Sequence, residues 1–382
     1  MSKSIPLREL VTVMSPRASE RVLDDVLQSR GRGAIMQRKL AANHDRNWLL
    51  ALTLHSFVKS VEGVELTDLE EGIVSAYREN GFTGQNIATQ ARLWQAIPDG
   101  AREELFPAKF AQLRVDQDYS LRDLADDANG IVSAVMAMPV MTVIDVDAIR
   151  DGRANLRDFP VPRNGVLQRH ASELIIATSV AAPRDAINQP YLIKAWKFRC
   201  NRQASDALFA PANEPFWIFG SVAAGEANTT NSAVFEDVDS GEEYWLAPTD
   251  GCIWSRNCNR EPLPDGDIGI LIQLWEHDEG DVESARAGVA AAFAAAAGVL
   301  AATGVAAWVG AVTAGVGAIV QWILGFSNDD HIADETIVFN RNTIVQMVPH
   351  RRGGRWDVTR KFSDGDADYD LTVGVFGRPS GF

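Results

Sequence analysis

Cysteine is nearly absent. The 382 residues hold three, Cys200, Cys252 and Cys258, which excludes a fully paired disulfide framework, and no C-x-x-C pair is present to begin a zinc site. They read as ordinary residues, with a Cys252–Cys258 bridge as the alternative. Catalytic signatures are lacking too: there is no G-x-S-x-G elbow, no H-E-x-x-H pair, no G-x-x-x-x-G-K-[ST] loop and no complete G-x-G-x-x-G fingerprint. Carboxylate pairs are scattered throughout an acidic chain and identify no acid–base site, so an enzyme is not expected. Positive charge is also scarce: 36 Lys and Arg face 51 Asp and Glu, a formal net charge of -15. That balance argues against a nucleic-acid backbone or an anionic lipid held by simple charge attraction, and divalent cations would change it. The opening MSKSIPLREL has no apolar core of a secretory signal, so a product made soluble in the cytoplasm is expected, with any export by another route.

The most informative absence is of charge between Ala287 and Phe326, where no residue is ionisable. Two runs, Ala287 to Thr303 and Val305 to Phe326, are broken at Thr303-Gly304 and predict a helical hairpin with arms of roughly 25 and 33 Å. Each arm is nearly long enough for a bilayer core. Composition tempers this, because Ala, Gly and Val insert less strongly than Leu and Phe. Small residues recur four apart, as in Ala294, Gly298 and Ala302 or Ala307, Ala311 and Gly315, the spacing that lets helix backbones approach in lipid. The expectation is a conditional inserter, with Phe293, Gly298, Leu300, Gly304, Trp308, Gly310, Gly315 and Trp322 as its membrane-facing residues. The competing expectation is a buried Ala-rich hairpin in a soluble core.

Before the hairpin the chain divides in two. Residues 1–160 carry helical periodicity and helix starts, among them Ser15-Pro16, Thr67 with Glu70, and Ser120 with Asp123. Ile131 to Ile144 is a Met-rich apolar stretch interrupted by Pro139. Asp158 to Gly165 reads as a linker, on its two prolines and glycine. From there the period becomes two. Leu174–Val180, Tyr191–Cys200, Phe216–Val222, Ile268–Trp275, Thr336–Asn340, Ile344–Val348 and Asp370–Val375 predict strands of a β-sandwich. The fold class expected is α+β and multidomain: a helical domain over 1–160, an antiparallel sandwich over 166–286 plus 327–382, and the hairpin 287–326 inserted in one of its loops.

The loops around these strands are acidic: Asp206 precedes Asn213-Glu214-Pro215-Phe216, Trp275-Glu276-His277-Asp278 ends a strand, and Asn328-Asp329-Asp330-His331-Ile332-Ala333 begins the next. Here the chain resembles the calcium-dependent phospholipid-binding domains of the synaptotagmin and protein kinase C type. The resemblance implies a calcium site with Asp206 and Glu214 from one loop and Glu276, Asp278 and Asp330 from another. Clustered carboxylates are what a hard cation of six to eight oxygens requires. Departures from the pattern are Glu214 and Glu276 in place of aspartates, Ala333 in place of a glycine, and the hairpin within a loop that is usually short. The hairpin is itself similar to the hydrophobic hairpin of pore-forming colicins. The hairpin's position in that loop, with these resemblances, leads to the expectation of a pore-forming toxin or effector that docks on a lipid membrane with calcium as cofactor and acts at a target-cell membrane; it would assemble as a homo-oligomer because one apolar hairpin cannot line an aqueous channel, and an export or receptor protein is a further expected partner. Two alternatives stand beside it: a non-lytic membrane anchor or delivery module, and a soluble interaction protein.

Overall fold

The computed structural model describes residues 21–155, 164–180, 189–203, 213–255, 258–277, 282–303, 308–325, 330–348 and 354–377, apart from positions 22, 26, 29 and 224. It is a mixed α/β protein in which an N-terminal helical region precedes a β-rich region.

The helical region consists of α1 (Gly31–Ala42), a 3-10 turn (His44–Asn47), α2 (Trp48–Glu62), α3 (Asp68–Glu79), α4 (Gly84–Ala96), α5 (Asp99–Leu105), α6 (Ala108–Ala111) and α7 (Leu121–Met136). Two starts expected from sequence are capping boxes. Thr67 Oγ1 accepts from Glu70 N while Glu70 accepts from Thr67 N, and Ser120 and Asp123 do the same at α7, satisfying amides that have no partner inside the helix. Ser15-Pro16 lies outside the described residues. α2 stops at Gly63, whose φ of 70° suits glycine.

A first sheet has the order β1-β2-β10-β9-β4-β5, formed by β1 (Met141–Asp145), β2 (Ser172–Thr178), β10 (Asp330–Asn340), β9 (Asp267–Glu276), β4 (Pro215–Ala223) and β5 (Glu226–Asn231). The second has the order β11-β12-β3-β6, formed by β11 (Arg355–Ser363), β12 (Asp368–Phe376), β3 (Pro190–Arg202) and β6 (Glu243–Trp245), with β7 (Cys252–Trp254) and β8 (Glu261–Pro262) also on β3. Short helices α8 (Val146–Arg150) and α9 (Asn164–His170) precede β2. The sheets are not purely antiparallel: β2 runs parallel to both β1 and β10.

Several expectations change. Asn164 and Gly165, read as linker, begin α9; 158–163 lies outside the described residues. The Met-rich stretch ends one element and begins another, since α7 stops at Met136 and β1 starts at Met141. Ile344–Val348 is not a strand: Ile344 to Met347 complete α12 (Arg341–Met347) and Val348 caps its end, the helix being started by Asn340, whose side chain accepts from Thr343 N at 2.9 Å. Cys252 and Cys258 are bonded as a disulfide, whereas Cys200 is free and buried.

The first sheet is covered on both faces. Trp217, Phe219, Ile270 and Ile272 face the second sheet and join Phe198, Phe362, Tyr369 and Leu371 in one core. Neighbouring residues of opposite parity, Phe216, Ile218, Leu271 and Trp275, belong to another core shared with the helices. All nine residues of β4 are therefore buried, as expected for a strand without a solvent face.

Candidate functional site

Between β9 and β10 lie α10 (Val282–Thr303) and α11 (Val309–Gly325), hereafter the finger. Glu276, the last residue of β9, is the cross-strand partner of Asp330, the first of β10. The finger thus leaves and re-enters the sheet at one residue pair, and its removal would not unthread any strand. Arg286–Thr303 is long and apolar enough to cross a membrane by length and composition, and α11 is a shorter apolar helix.

The finger is a layer between the helical region and the first sheet. In α11 every residue from Val309 to Leu324 is buried, the condition of a helix apolar all round. Phe293, Leu300, Trp308, Gly310, Gly315 and Trp322 are buried, Gly298 is exposed on α10, and Gly304 lies outside the described residues. The two tryptophans among the expected membrane-facing residues sit instead among other rings. Trp308 meets Trp48 edge-on at 5.7 Å; Trp322 meets Phe106 at 6.3 Å and donates from Nε1 to Gln90 Oε1 at 2.7 Å.

The small residues also acquire partners different from those expected. A Cβ on Gly315 would come within 2.8 Å of Leu49 Cβ, so this glycine lets α11 rest directly on α2. Gly310 faces Ile176 and Val338 of the sheet. The reverse fit occurs at Gly220 of β4, where the ring of Phe293 fills the space a Cβ would need. Dense packing of this kind requires absent side chains on one surface wherever a bulky one projects from the other.

A buried polar cluster ties the finger to both neighbours. Arg46, from the turn before α2, donates to Asp334 Oδ1 and Oδ2 at 2.8 and 2.9 Å, to Ser172 Oγ at 2.8 Å and to Gln321 Oε1 of α11 at 3.0 Å. One guanidinium therefore joins the helical region, the finger and two strands. Lys39 Nζ donates to the carbonyls of His331 and Ile332, where the β9–β10 register is irregular. Burial would raise the Asp334 carboxyl, but Arg46 and His331 hold it far below the usual carboxylate range. Burial lowers the His331 imidazole to about 4, aided by Lys39 and Arg46 and opposed by Asp334, 3.4 Å away. Burial also lowers Lys39. On the other side of β10, Arg360 of the second sheet joins Glu335 at 2.8 and 2.9 Å and Glu173 at 2.7 Å. Burial lifts Glu335 to about 7 in spite of Arg360, and Glu173 adds to the rise.

Sequence reasoning overlooked Arg46 and Asp334. The available signal was a carboxylate pair, Asp334-Glu335, within a strand that is otherwise largely apolar; one of the two had to face each core. Of the expected calcium ligands, Glu214, Glu276 and Asp330 are brought to one end of the first sheet: Pro215 and Asp330 both pair with Glu276, and His277 N donates to Glu214 O. Asp206 and Asp278 lie outside the described residues. Among the described residues no three His, Cys, Asp or Glu side chains group so as to hold a metal ion.

No family model matches the chain, and no curated protein does. Two solved structures are similar to half of it: human GIVD cytosolic phospholipase A2 in complex with methyl gamma-linolenyl fluorophosphonate, and the same protein with that inhibitor and terbium chloride. Each is 9% identical over 50% of this chain and 17% of that one, with a TM-score of 0.22, a likeness too slight to bear on fold or activity.

Proposed function

We propose that the chain is a membrane-inserting protein of the pore-forming toxin or effector kind, and that the finger is the part that enters lipid. The observation that carries this is the cross-strand pairing of Glu276 with Asp330 at the finger's base, which allows 44 residues of finger, Val282 to Gly325, to leave while β9 and β10 stay paired. Absence of ionisable residues from Ala287 to Phe326 removes the largest penalty for a bilayer destination. Storage within the protein answers the need to hide such a surface in water. Several copies would have to assemble, because one apolar hairpin cannot line an aqueous path. The two-sheet body supports a lipid-docking sandwich, although its parallel β1, β2 and β10 depart from the antiparallel pattern. Calcium at Glu214, Glu276 and Asp330, with Asp206 and Asp278, remains part of the proposal.

A second reading is favoured by α11 being buried around its whole circumference: a soluble interaction protein whose finger is permanent core. The two part on a reversible lock. A Cβ on Gly225 would lie 3.8 Å from Ala301 Cβ, within the span of a disulfide. Gly225→Cys costs about 1 kcal/mol for its φ of 76°. Gly225→Cys with Ala301→Cys, oxidised, should fail to release dye from liposomes; reduction should restore release to that of wild type in the same reductant. Runs in calcium and in chelator test the ion. No release by reduced or wild-type protein in either condition favours the permanent core, and equal release by the oxidised form rejects the finger as the inserting part.

A further inference from the structure

On the outer face of the second sheet aromatic rings and cations lie together. Trp245 on β6 is 64% exposed, while its neighbour Tyr244 turns inward and stacks on Phe198 at 5.3 Å; alternation along the strand therefore directs Trp245 outward. Register aligns Trp245 with Lys197 of β3, and Lys197 with Thr372 of β12. Trp196 packs on Trp245 with centroids 4.8 Å apart. Lys197 Nζ lies over both rings, at 5.2 and 5.8 Å, and the Arg355 guanidinium lies 4.4 Å over Trp196.

We propose that this face is a docking surface for an anionic glycan, a polymer of sulfated or uronic sugar rings. It deepens the membrane reading by supplying the step that brings the protein to a cell surface, and it rests on that reading for its purpose but not for its test. Three features of the face select the ligand. An exposed indole offers an apolar plane to the carbon-bearing face of a sugar ring. Lys197 and Arg355 supply cations beside it, in a molecule whose net charge is -15, so the attraction is local. Glu243 and Asp357 each engage one of these cations, at 2.6 and 2.7 Å, yet an ammonium has three donors and a guanidinium five, which leaves capacity for sulfate or carboxylate. A lipid surface fits less well: Trp245 ends the short strand β6 beside Lys197 and two residues from Glu243, so charged groups flank it, whereas entry into a bilayer interface calls for a protruding apolar tip. Strands spaced about 4.8 Å apart suit an extended polymer read ring by ring.

The experiment uses the full chain and a heparin-derived octasaccharide, with a neutral cello-oligosaccharide and phosphatidylserine vesicles as alternatives, measured by calorimetry at two salt concentrations. The expected result is binding to the charged glycan that weakens at least tenfold in Trp245→Ala and in Lys197→Gln with Arg355→Gln, falls with salt, and stays within a few-fold of wild type in Trp245→Phe. Circular dichroism establishes that each variant is folded. The proposal is overturned by no glycan binding, by glycan binding that these substitutions leave unchanged, or by vesicle binding through the same residues that glycan does not compete away. Dye release from glycan-free liposomes is a separate measurement, so loss of either result leaves the other standing.

Discussion

Gly315 and Gly298 occupy the two arms of the finger and have opposite surroundings. Gly315 has Leu49 Cβ 2.8 Å from where its own Cβ would be, while a Cβ on exposed Gly298 would meet nothing within 4 Å. Gly315→Val should therefore lower stability by about 2 kcal/mol through overpacking, whereas Gly298→Ala should raise it by up to about 1 kcal/mol through helix propensity. Urea midpoints check both, and equal effects would mean that α11 does not rest on α2. Sequence could show small residues four apart but not what they approach, because lipid-embedded pairs and dense soluble cores use the same spacing. Asp334-Glu335 hinted at buried charge, but the pairing of Asp334 with Arg46 was illegible: 288 positions separate them, and nothing local in either segment announces the other.

At the scale of elements, the exposed flank of α10 is where storage and the proposed insertion would make different demands. A lysine at Gly298 would reach water in the folded protein, so thermal midpoint and circular dichroism should stay near wild type. At the centre of a bilayer that charge costs roughly 2.5–3.5 kcal/mol per residue. If the finger inserts as proposed, Gly298→Lys should remain folded and lose most of the dye release of wild type, and undiminished release would show that α10 does not cross. A charge at Gly315 would be a poorer probe, since it would disrupt the soluble core first. Legibility at this scale followed parity. β2, β3, β4, β9, β10 and β12 coincide with apolar runs, whereas β11 does not: Arg355, Asp357, Thr359 and Lys361 alternate with less exposed residues on a strand covered on one face only. The helix at Arg341–Met347 was misread because Ile344 and Val345 look like a strand, while the decisive signal was the Asn340 cap. The finger's helical character was plain from its length and lack of charge; its burial was not, because composition alone does not specify which solvent surrounds an apolar helix.

Across the whole molecule, the two cores meet at the first sheet, and adjacent residues of β10 serve them separately: Asp334 answers Arg46 on the finger side, Glu335 answers Arg360 of the second sheet. This division has a pH consequence with opposing signs. His331, lowered from 6.5 to about 4, binds its proton less readily folded than unfolded, so its contribution is complete above pH 6.5 and is lost as pH falls toward 4. The full shift amounts to about 3 kcal/mol. Glu335, raised from 4.5 to about 7, binds its proton more readily when folded, so acidification from pH 7 to 4.5 adds stability of similar size. In wild type the two largely offset over this window. Relative to wild type, His331→Gln should gain stability on acidification and Glu335→Gln should lose it, each by about 2–3 kcal/mol, with the double variant close to wild type. Urea unfolding at pH 7 and 4.5 measures these differences, and single variants that track wild type would refute the assignment. Because proton uptake by His331 when the finger's base opens would then lack the opposing effect of Glu335, the proposed departure of the finger should be easier in Glu335→Gln at pH 4.5 than at pH 7, read as greater dye release.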